Sequence, residues 1–380
     1  MSKTYDAMVI GVGGVGSAAL YHLARRGIRV LGLDRFPPGH DQGSSHGETR
    51  IIRQAYFEHV DYVPLLLRAY QLWEELEQAT AQKLFHQVGL LQVGPAEGAV
   101  IAGVMASAEQ HRLPVERLSA QEIHSRFPGF FVPENCVGAF EPKAGFLRVE
   151  ACVQAHAREA VRAGAELITN EAVLSWSACG TGFQVLTNQQ TYHCERLIIS
   201  PGPWAAALLS DLRFPFEVRR KHLYWYTPQT GFYAADKHSP TFLYDLPHGV
   251  FYGFPAIDAQ GVKVAEHSGG VVVKDPLTDS RAFDPADCQR VRDFLDHHLP
   301  QVLTQRNRHG ECYYTMTPDE HFIVDQHPQQ ANLAFVAGLS GHGFKFTSVL
   351  GEILADLAIS GATPHPVSFL SAHRPALHAR

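Results

Sequence analysis

The sequence predicts an α/β chain, α+β overall, in which a parallel sheet with helices is joined to a second part built around an antiparallel sheet. Three observations predict it. A glycine-rich turn stands between an apolar strand and an alanine-rich helix near the N-terminal end. Residues 217–273 alternate apolar and polar side chains as antiparallel strands do. Finally, 380 residues is more chain than one core organises, since single cores stop growing near roughly 250–300 residues.

Taken in order, residues 5–10 make the first strand, Gly11-Val12-Gly13-Gly14-Val15-Gly16 breaks it, residues 17–26 continue as a helix, and residues 29–33 form a second strand ending at Asp34. Gly11 allows the tight turn, Gly13 beside Gly14 lets the backbone approach a pyrophosphate, and Gly16 permits close packing of helix on strand. The helix N-terminus offers unpaired N–H groups to phosphates. Asp34, roughly 20 residues on, can accept hydrogen bonds from a ribose 2′-OH. The unit reads as Rossmann-like and its ligand as an adenine dinucleotide. The motif alone does not choose between NAD and FAD, and a purely structural glycine turn is the alternative.

Residues 63–79 carry Leu66, Leu67, Tyr70, Trp73 and Leu76 at helical spacing. Residues 83–141 mix short strands, such as 86–93, with helices and the turn Phe127-Pro128-Gly129, an excursion into the second part. A helix at 149–163, a strand at 166–169, a strand pair at 182–187 and 191–199, and a strand-turn-helix through 198–204 return to the first part. The antiparallel strands fall at 221–226, 250–254 and 262–267, before a helix at 285–298. Residues 332–337 form a buried strand running into Gly338-Leu339-Ser340-Gly341-His342-Gly343 and a helix over 344–360, a second helix N-terminus able to face a cofactor. The division is therefore 1–82, 146–214 and 308–380 for the nucleotide, with 83–145 and 215–307 for the substrate.

A formal charge of −6 argues against a nucleic-acid or anionic-membrane partner, which would need an excess of Lys and Arg on one face. No stretch of about 18 apolar residues suggests a membrane span, and the first residues pass directly into a strand with no room for a signal peptide. The expectation is a cytoplasmic protein. Its six cysteines are scattered without a C-x-x-C pair, and its 22 histidines include no H-E-x-x-H, so neither a disulfide framework nor a metal site is expected.

Four polar segments stand in apolar surroundings. Gly43-Ser44-Ser45-His46-Gly47-Glu48-Thr49-Arg50-Ile51-Ile52-Arg53 suits a loop covering the reactive end of a cofactor, or else a solvated surface loop. Lys263, between Val262 and Val264, faces away from both valines by strand alternation, and an edge-strand lysine is the ordinary reading. Cys312, in Cys312-Tyr313-Tyr314-Thr315, is ordinarily a buried small hydrophobe. Lys345 sits just inside a helix, where a cation opposes the dipole unless an anion lies nearby.

Together these segments resemble the monomeric sarcosine oxidase and N-methyltryptophan oxidase family through nearly the whole chain. Residues 46–53 match its H-G-D-T-R-x-I-R, Tyr252-Gly253-Phe254-Pro255 its Y-G-F-P, and residues 340–346 its S-G-H-G-F-K-F. The nearer look is to the N-methyltryptophan oxidase branch, through His267-Ser268-Gly269-Gly270 and residues 348–353. The resemblance implies FAD joined covalently to the Cys312 sulfur, Lys263 activating O₂, and Arg53 with Lys345 clamping a substrate carboxylate. It further implies His267, Tyr252 and Tyr314 lining the substrate cavity, and His46 and Arg50 close to the flavin ring. Ser44, Thr49, Gly341, Gly343 and Phe344 fall at the cofactor in the same segments.

The implied activity is oxidation of a secondary-amine amino acid to an imine, with O₂ reduced to H₂O₂ by a monomer and no strong general base. Ser45 replaces the first histidine of the family's H-H-G-D-T-R, Glu48 replaces its aspartate, and residues 241–245, bordering the substrate side chain, are unlike either branch. An FAD-dependent amino-acid dehydrogenase or a cyclic imino-acid oxidase keeps the same fold. A nucleotide sensor without turnover and an NAD-dependent dehydrogenase are the more distant alternatives.

Overall fold

The computed structural model describes residues 4–378. Met1, Ser2 and Lys3, read above as the lead into the first strand, lie outside the described residues, as do Ala379 and Arg380.

The first sheet runs in the order Val173–Cys179, Gly182–Thr187, Thr191–Ile199, Thr4–Ile10, Val30–Leu33, Glu166–Ile168, and Gln330–Ala337 also pairs with Thr191–Ile199. It is parallel through its centre and out to the edge strand Glu166–Ile168, and antiparallel where Val173–Cys179, Gly182–Thr187 and Ile323–His327 join. Within Thr4–Ile10 the second half, residues 7–10, is an unbroken apolar run because both its faces are covered. Ala7 and Val9 join the core beneath the helices Gly14–Arg25, Tyr62–Thr80, Val149–Arg162 and Thr347–Ser360, while Met8 and Ile10 join the core on the other side.

The second sheet runs Val271–Val272, Glu217–Pro228, Val262–Glu266, Gly249–Phe254, Thr241–Leu246, Leu90–Pro95, Cys136–Glu141, Glu116–Leu118, with Val302–Met316 also on Glu217–Pro228. It is antiparallel as expected except at one join, where Thr241–Leu246 and Leu90–Pro95 run parallel. Alternation sorts its two faces. Tyr224, Tyr226, Phe242, Tyr244 and Phe251 pack against the helix Pro285–His298, and Leu223, Trp225, Leu243, Tyr252, Phe254, Cys312 and Tyr314 form the opposite face.

Three expectations change. Val302–Met316 is one strand of the second sheet, so it crosses the boundary drawn at 308; it pairs with Glu217–Pro228 along its length, with register shifts opposite Tyr226. Within the segment 43–53, taken as a loop, Thr49–Ile52 is a strand paired antiparallel with Gly145–Arg148. The helix drawn over 344–360 begins as a 3₁₀ turn, Phe344–Phe346, so Lys345 stands ahead of the α-helix Thr347–Ser360 rather than inside it.

Candidate active site

The larger of two adjoining cavities, about 340 Å³, opens along the fingerprint turn. Gly11, Gly13, Gly14, Asp34, Ser44, Arg50, Gly341, Gly343 and Phe344 line it. Asp34 accepts from Val12 N–H at 2.6 Å and Phe36 N–H at 2.8 Å, which fixes the turn against the second strand. A Cβ on Gly16 would stand 1.8 Å from the Gly11 carbonyl oxygen, whereas one on Gly13 would meet nothing nearer than Ser45 Oγ at 4.0 Å. Gly16 is thus needed for packing, and Gly13 faces open space. The buried Trp204 Nε1 and Thr347 Oγ1 have no partner among the described residues, and both residues line the same cavity. A cavity of this volume, lined by the fingerprint glycines and holding two orphaned polar atoms, fits an adenine dinucleotide such as FAD.

The smaller cavity, about 50 Å³, is lined by Arg50, Arg53, Glu58, Leu243, Tyr252, His267, Tyr314 and Lys345, among others. Four residues line both cavities: Arg50, Tyr314, Gly341 and Phe344. They mark a seam where a ligand in one space meets a ligand in the other.

Two buried cations face the smaller cavity. One Arg53 Nη donates to both Glu58 oxygens, at 2.5 and 2.6 Å, with the guanidinium 4.4 Å from the Tyr56 ring and 4.6 Å from that of Phe57. Burial pushes the Glu58 carboxyl up, but Arg53, His342 and Lys345 together more than offset it and hold the group down to about 2. Lys345 Nζ donates to the His342 carbonyl at 2.6 Å and to Tyr56 Oη at 3.4 Å, and burial, with Arg53 nearby, puts its pKa well below the ordinary lysine value. His267 shares a 3.3 Å hydrogen bond with Tyr314 Oη and is neutral, since burial and then Lys221 lower its pKa to about 3. Burial raises Tyr252 to about 12 and Tyr314 well above the ordinary tyrosine value. No group in this cavity is a strong base, and its positive charge suits a carboxylate.

Lys263 is buried in the second sheet between Glu217–Pro228 and Gly249–Phe254, which overturns the edge-strand reading. Its amine donates to Gly47 O at 2.6 Å, Thr49 O at 3.0 Å and Thr49 Oγ1 at 3.3 Å. Burial and then Arg50 push its pKa well down, while Cys312, Glu150 and Glu48 oppose them. Cys312 is buried on the same sheet face, one residue before the cavity-lining Tyr313, and no disulfide engages any of the six cysteines. Arg50 donates to Thr49 O at 3.0 Å and Ser44 O at 3.1 Å. His46 turns away from both cavities onto Gly43 O at 3.0 Å, and burial, with Arg50, lowers it to about 4. Neither Lys263, Cys312, Thr49 nor His46 lines either cavity; they surround the seam rather than wall it.

Sequence reasoning missed the carboxylates that hold this arrangement. Glu150 accepts from Gly47 N–H at 2.7 Å and Glu48 N–H at 3.1 Å, and Glu141 from Gln54 N–H at 2.6 Å and Ala55 N–H at 3.1 Å. The two clamp both ends of the strand that carries Arg50. Glu58 was missed as well, although it stands only five residues after Arg53. Among the described residues no group of three His, Cys, Asp or Glu could hold a metal ion, and no helix is long and apolar enough to cross a membrane.

The site and fold define a flavin-dependent oxidoreductase, and the chain belongs to the FAD dependent oxidoreductase family, matching it over residues 6–357. It is 44% identical over 380 residues to a monomeric sarcosine oxidase of Streptomyces avermitilis, covering 98% of each chain. To an N-methyl-L-tryptophan oxidase of Yersinia pestis it is 38% identical over 373 residues, covering 97% of this chain and 99% of that one. The higher of these two identities is thus to the sarcosine branch. Among solved structures, NikD, an unusual amino acid oxidase essential for nikkomycin biosynthesis, superposes with a TM-score of 0.85 at 26% identity, covering 97% and 98% of the two chains. A glycine oxidase of Geobacillus kaustophilus shares the fold at a TM-score of 0.82 and 19% identity, covering 98% and 99%.

Proposed function

We propose that this protein oxidises the C–N bond of N-methyl amino acids of the sarcosine kind, reducing O₂ to H₂O₂, with FAD held covalently by the Cys312 sulfur. The observation that carries the reading is the seam: a small cavity with two buried cations shares Arg50, Tyr314, Gly341 and Phe344 with the nucleotide channel. When bound, FAD takes the two electrons of C–N oxidation and passes them to O₂.

Arg53 and Lys345 bind the substrate carboxylate, Arg53 with a planar fork and Lys345 with a point charge. Glu58 holds one Nη of that guanidinium at 2.5 Å and so competes with the substrate for Arg53. The same cations disfavour a protonated amine, which leaves the nitrogen lone pair free to assist oxidation. Neutral His267 and Tyr314 orient the amine side, with Tyr252 beside them. Lys263 offers positive charge to O₂ as it gains electrons in a dry setting, where that charge acts more strongly than in water. Gly11, Gly13, Gly14, Asp34, Ser44 and Gly343 hold the cofactor, and His46, Thr49 and Arg50 order the loop above the seam.

A cavity of about 50 Å³ favours a compact N-methyl amino acid over one bearing an indole. The nucleotide part spans 1–82, 146–214 and 308–380 and the substrate part 83–145 and 215–307, sharing the strand Val302–Met316. A single chain in the cytoplasm is the working unit, in keeping with the word monomeric in the name of the Streptomyces relative.

Sarcosine, N-methyltryptophan, pipecolate and proline are to be compared for O₂ uptake and peroxide release. Sarcosine should give one peroxide for each O₂ consumed. Turnover with a quinone or dye but without O₂ uptake would make the chain a dehydrogenase, and preference for pipecolate or proline would make it a cyclic imino-acid oxidase.

A further inference from the structure

Glu48 carries a backbone φ of +72°, a left-handed conformation that is costly for a side chain with a Cβ. Its side chain does more than occupy the turn. Glu48 Oε2 accepts from Trp225 Nε1 at 3.0 Å, and Oε1 pairs with the Arg308 guanidinium. Arg308, Trp225, Lys263 and Phe254 are successive cross-strand partners, a row across four neighbouring strands of the second sheet. The Arg308 guanidinium lies 4.4 Å from the Trp225 ring, and the Lys263 amine lies 5.6 Å from that ring and 4.7 Å from the ring of Phe254. Glu48 therefore anchors to the first two members of the row, and Lys263 is the third. The peptide carbonyls on either side of Glu48, those of Gly47 and Thr49, are the ones that receive the Lys263 amine. Beneath the loop, Glu150 fixes the Gly47 and Glu48 amides.

We propose that Glu48 is the positioning residue for Lys263: its carboxylate pins residues 47–49 onto the sheet and so holds the lysine amine at the oxygen side of the seam. This rests on the role given to Lys263 above. The strained backbone persists because bonds from three elements over-determine it, Glu150 acting on its amide and Trp225 with Arg308 on its carboxylate. The charge acts in the same sense. Burial and then Arg50 disfavour the proton of the Lys263 amine, whereas Glu150 and Glu48 retain it.

The test uses holoenzyme of the wild type, Glu48→Gln, Glu48→Asp and Lys263→Met. Three readouts are needed: reoxidation of the reduced enzyme by O₂, anaerobic reduction by sarcosine, and the position of the Lys263 amine in a crystal structure. Glu48→Gln should slow reoxidation about tenfold or more, the weight of one pKa unit, and change anaerobic reduction by less than about twofold. Its lysine amine should no longer lie on the Gly47 carbonyl. Glu48→Asp, which keeps the charge, should recover most of the loss. Unchanged reoxidation in Glu48→Gln, or equal slowing of both half-reactions with the amine still on Gly47, overturns the proposal. Should Glu48→Gln fail to fold, Trp225→Phe removes one anchor and is judged by the same three readouts. Wild-type reoxidation in Lys263→Met would instead sink the oxygen role of the lysine, and the crystallographic position of the amine would then alone decide whether Glu48 positions it.

Discussion

The two cavities meet at four residues yet are made of opposite materials. The larger is floored by backbone and glycine, and its polar contacts are mostly main-chain groups held by side chains, as Asp34 and Ser45 hold Val12 N–H and Gly14 N–H. The smaller is walled by charged and aromatic side chains whose burial shifts their proton affinity, Lys345 and His267 downward and Tyr252 and Tyr314 upward. A cofactor that stays needs shape and a fixed anchor. A substrate that comes and goes needs charge that something else neutralises in its absence, which is the part Glu58 takes for Arg53.

The sharpest way to break this contrast is to remove the proposed anchor. Cys312→Ser should release all of the flavin on acid denaturation, while the wild type keeps its yellow colour in the precipitate. Flavin released from the wild type itself would mean that shape alone holds the cofactor. Next in size is Arg53→Met, which should lower kcat/KM for sarcosine about 100-fold through loss of a charge-assisted bond, with flavin content unchanged. Parallel loss of flavin would show that the two cavities are not functionally separate.

The same contrast explains what the sequence could tell. The nucleotide channel was legible because its determinants are local: strand, glycine turn, helix and acid fall within residues 5–34, each acting on near neighbours. The substrate side was legible only through motif resemblance, because its parts converge from segments far apart in the chain. Glu141 caps an amide 87 positions away and Glu150 one 103 positions away, and no periodicity encodes such distances. For Lys263 the residues alone favour an edge position, because a five-residue alternation has the same pattern in a central strand as at the rim. The strand Val302–Met316 was lost for a related reason: its first half, rich in polar residues such as Gln305, Arg306, Asn307, Arg308 and His309, has no apolar face to announce it.

Glu58 allows the contrast to be sharpened with opposite signs in one variant. Glu58→Gln removes the resident competitor for Arg53, so the KM for sarcosine, or the Kd of a carboxylate inhibitor, should fall several-fold, up to about tenfold or 1.4 kcal/mol. The same change leaves a buried guanidinium without its counter-ion and should cost about 3 kcal/mol of stability. Tighter binding in a less stable protein is the expected pair of results. Weaker binding would mean that Glu58 helps to hold the substrate rather than standing in its place.

The dependence of stability on acidity also follows from burial, which sets its sign. His46 and His342 are lowered to about 4 and His267 to about 3, burial being the largest cause in each, against an ordinary imidazole value of 6.5. The unfolded chain takes up protons near pH 6.5 that the folded chain refuses until about pH 4. The stability these groups contribute is therefore complete above pH 6.5 and is lost as the pH falls from there, at about 1.4 kcal/mol per unit for each histidine. His22 and His156, buried among the helices of the first sheet and lowered to about 4 and about 3, add the same slope from the nucleotide side. Denaturant titrations at several pH values should show this decline, and His267→Asn should reduce the slope by one proton. A decline that begins only below pH 4, or an unchanged slope in His267→Asn, would mean that His267 takes up its proton in the folded protein and that the smaller cavity is wetter than its burial implies.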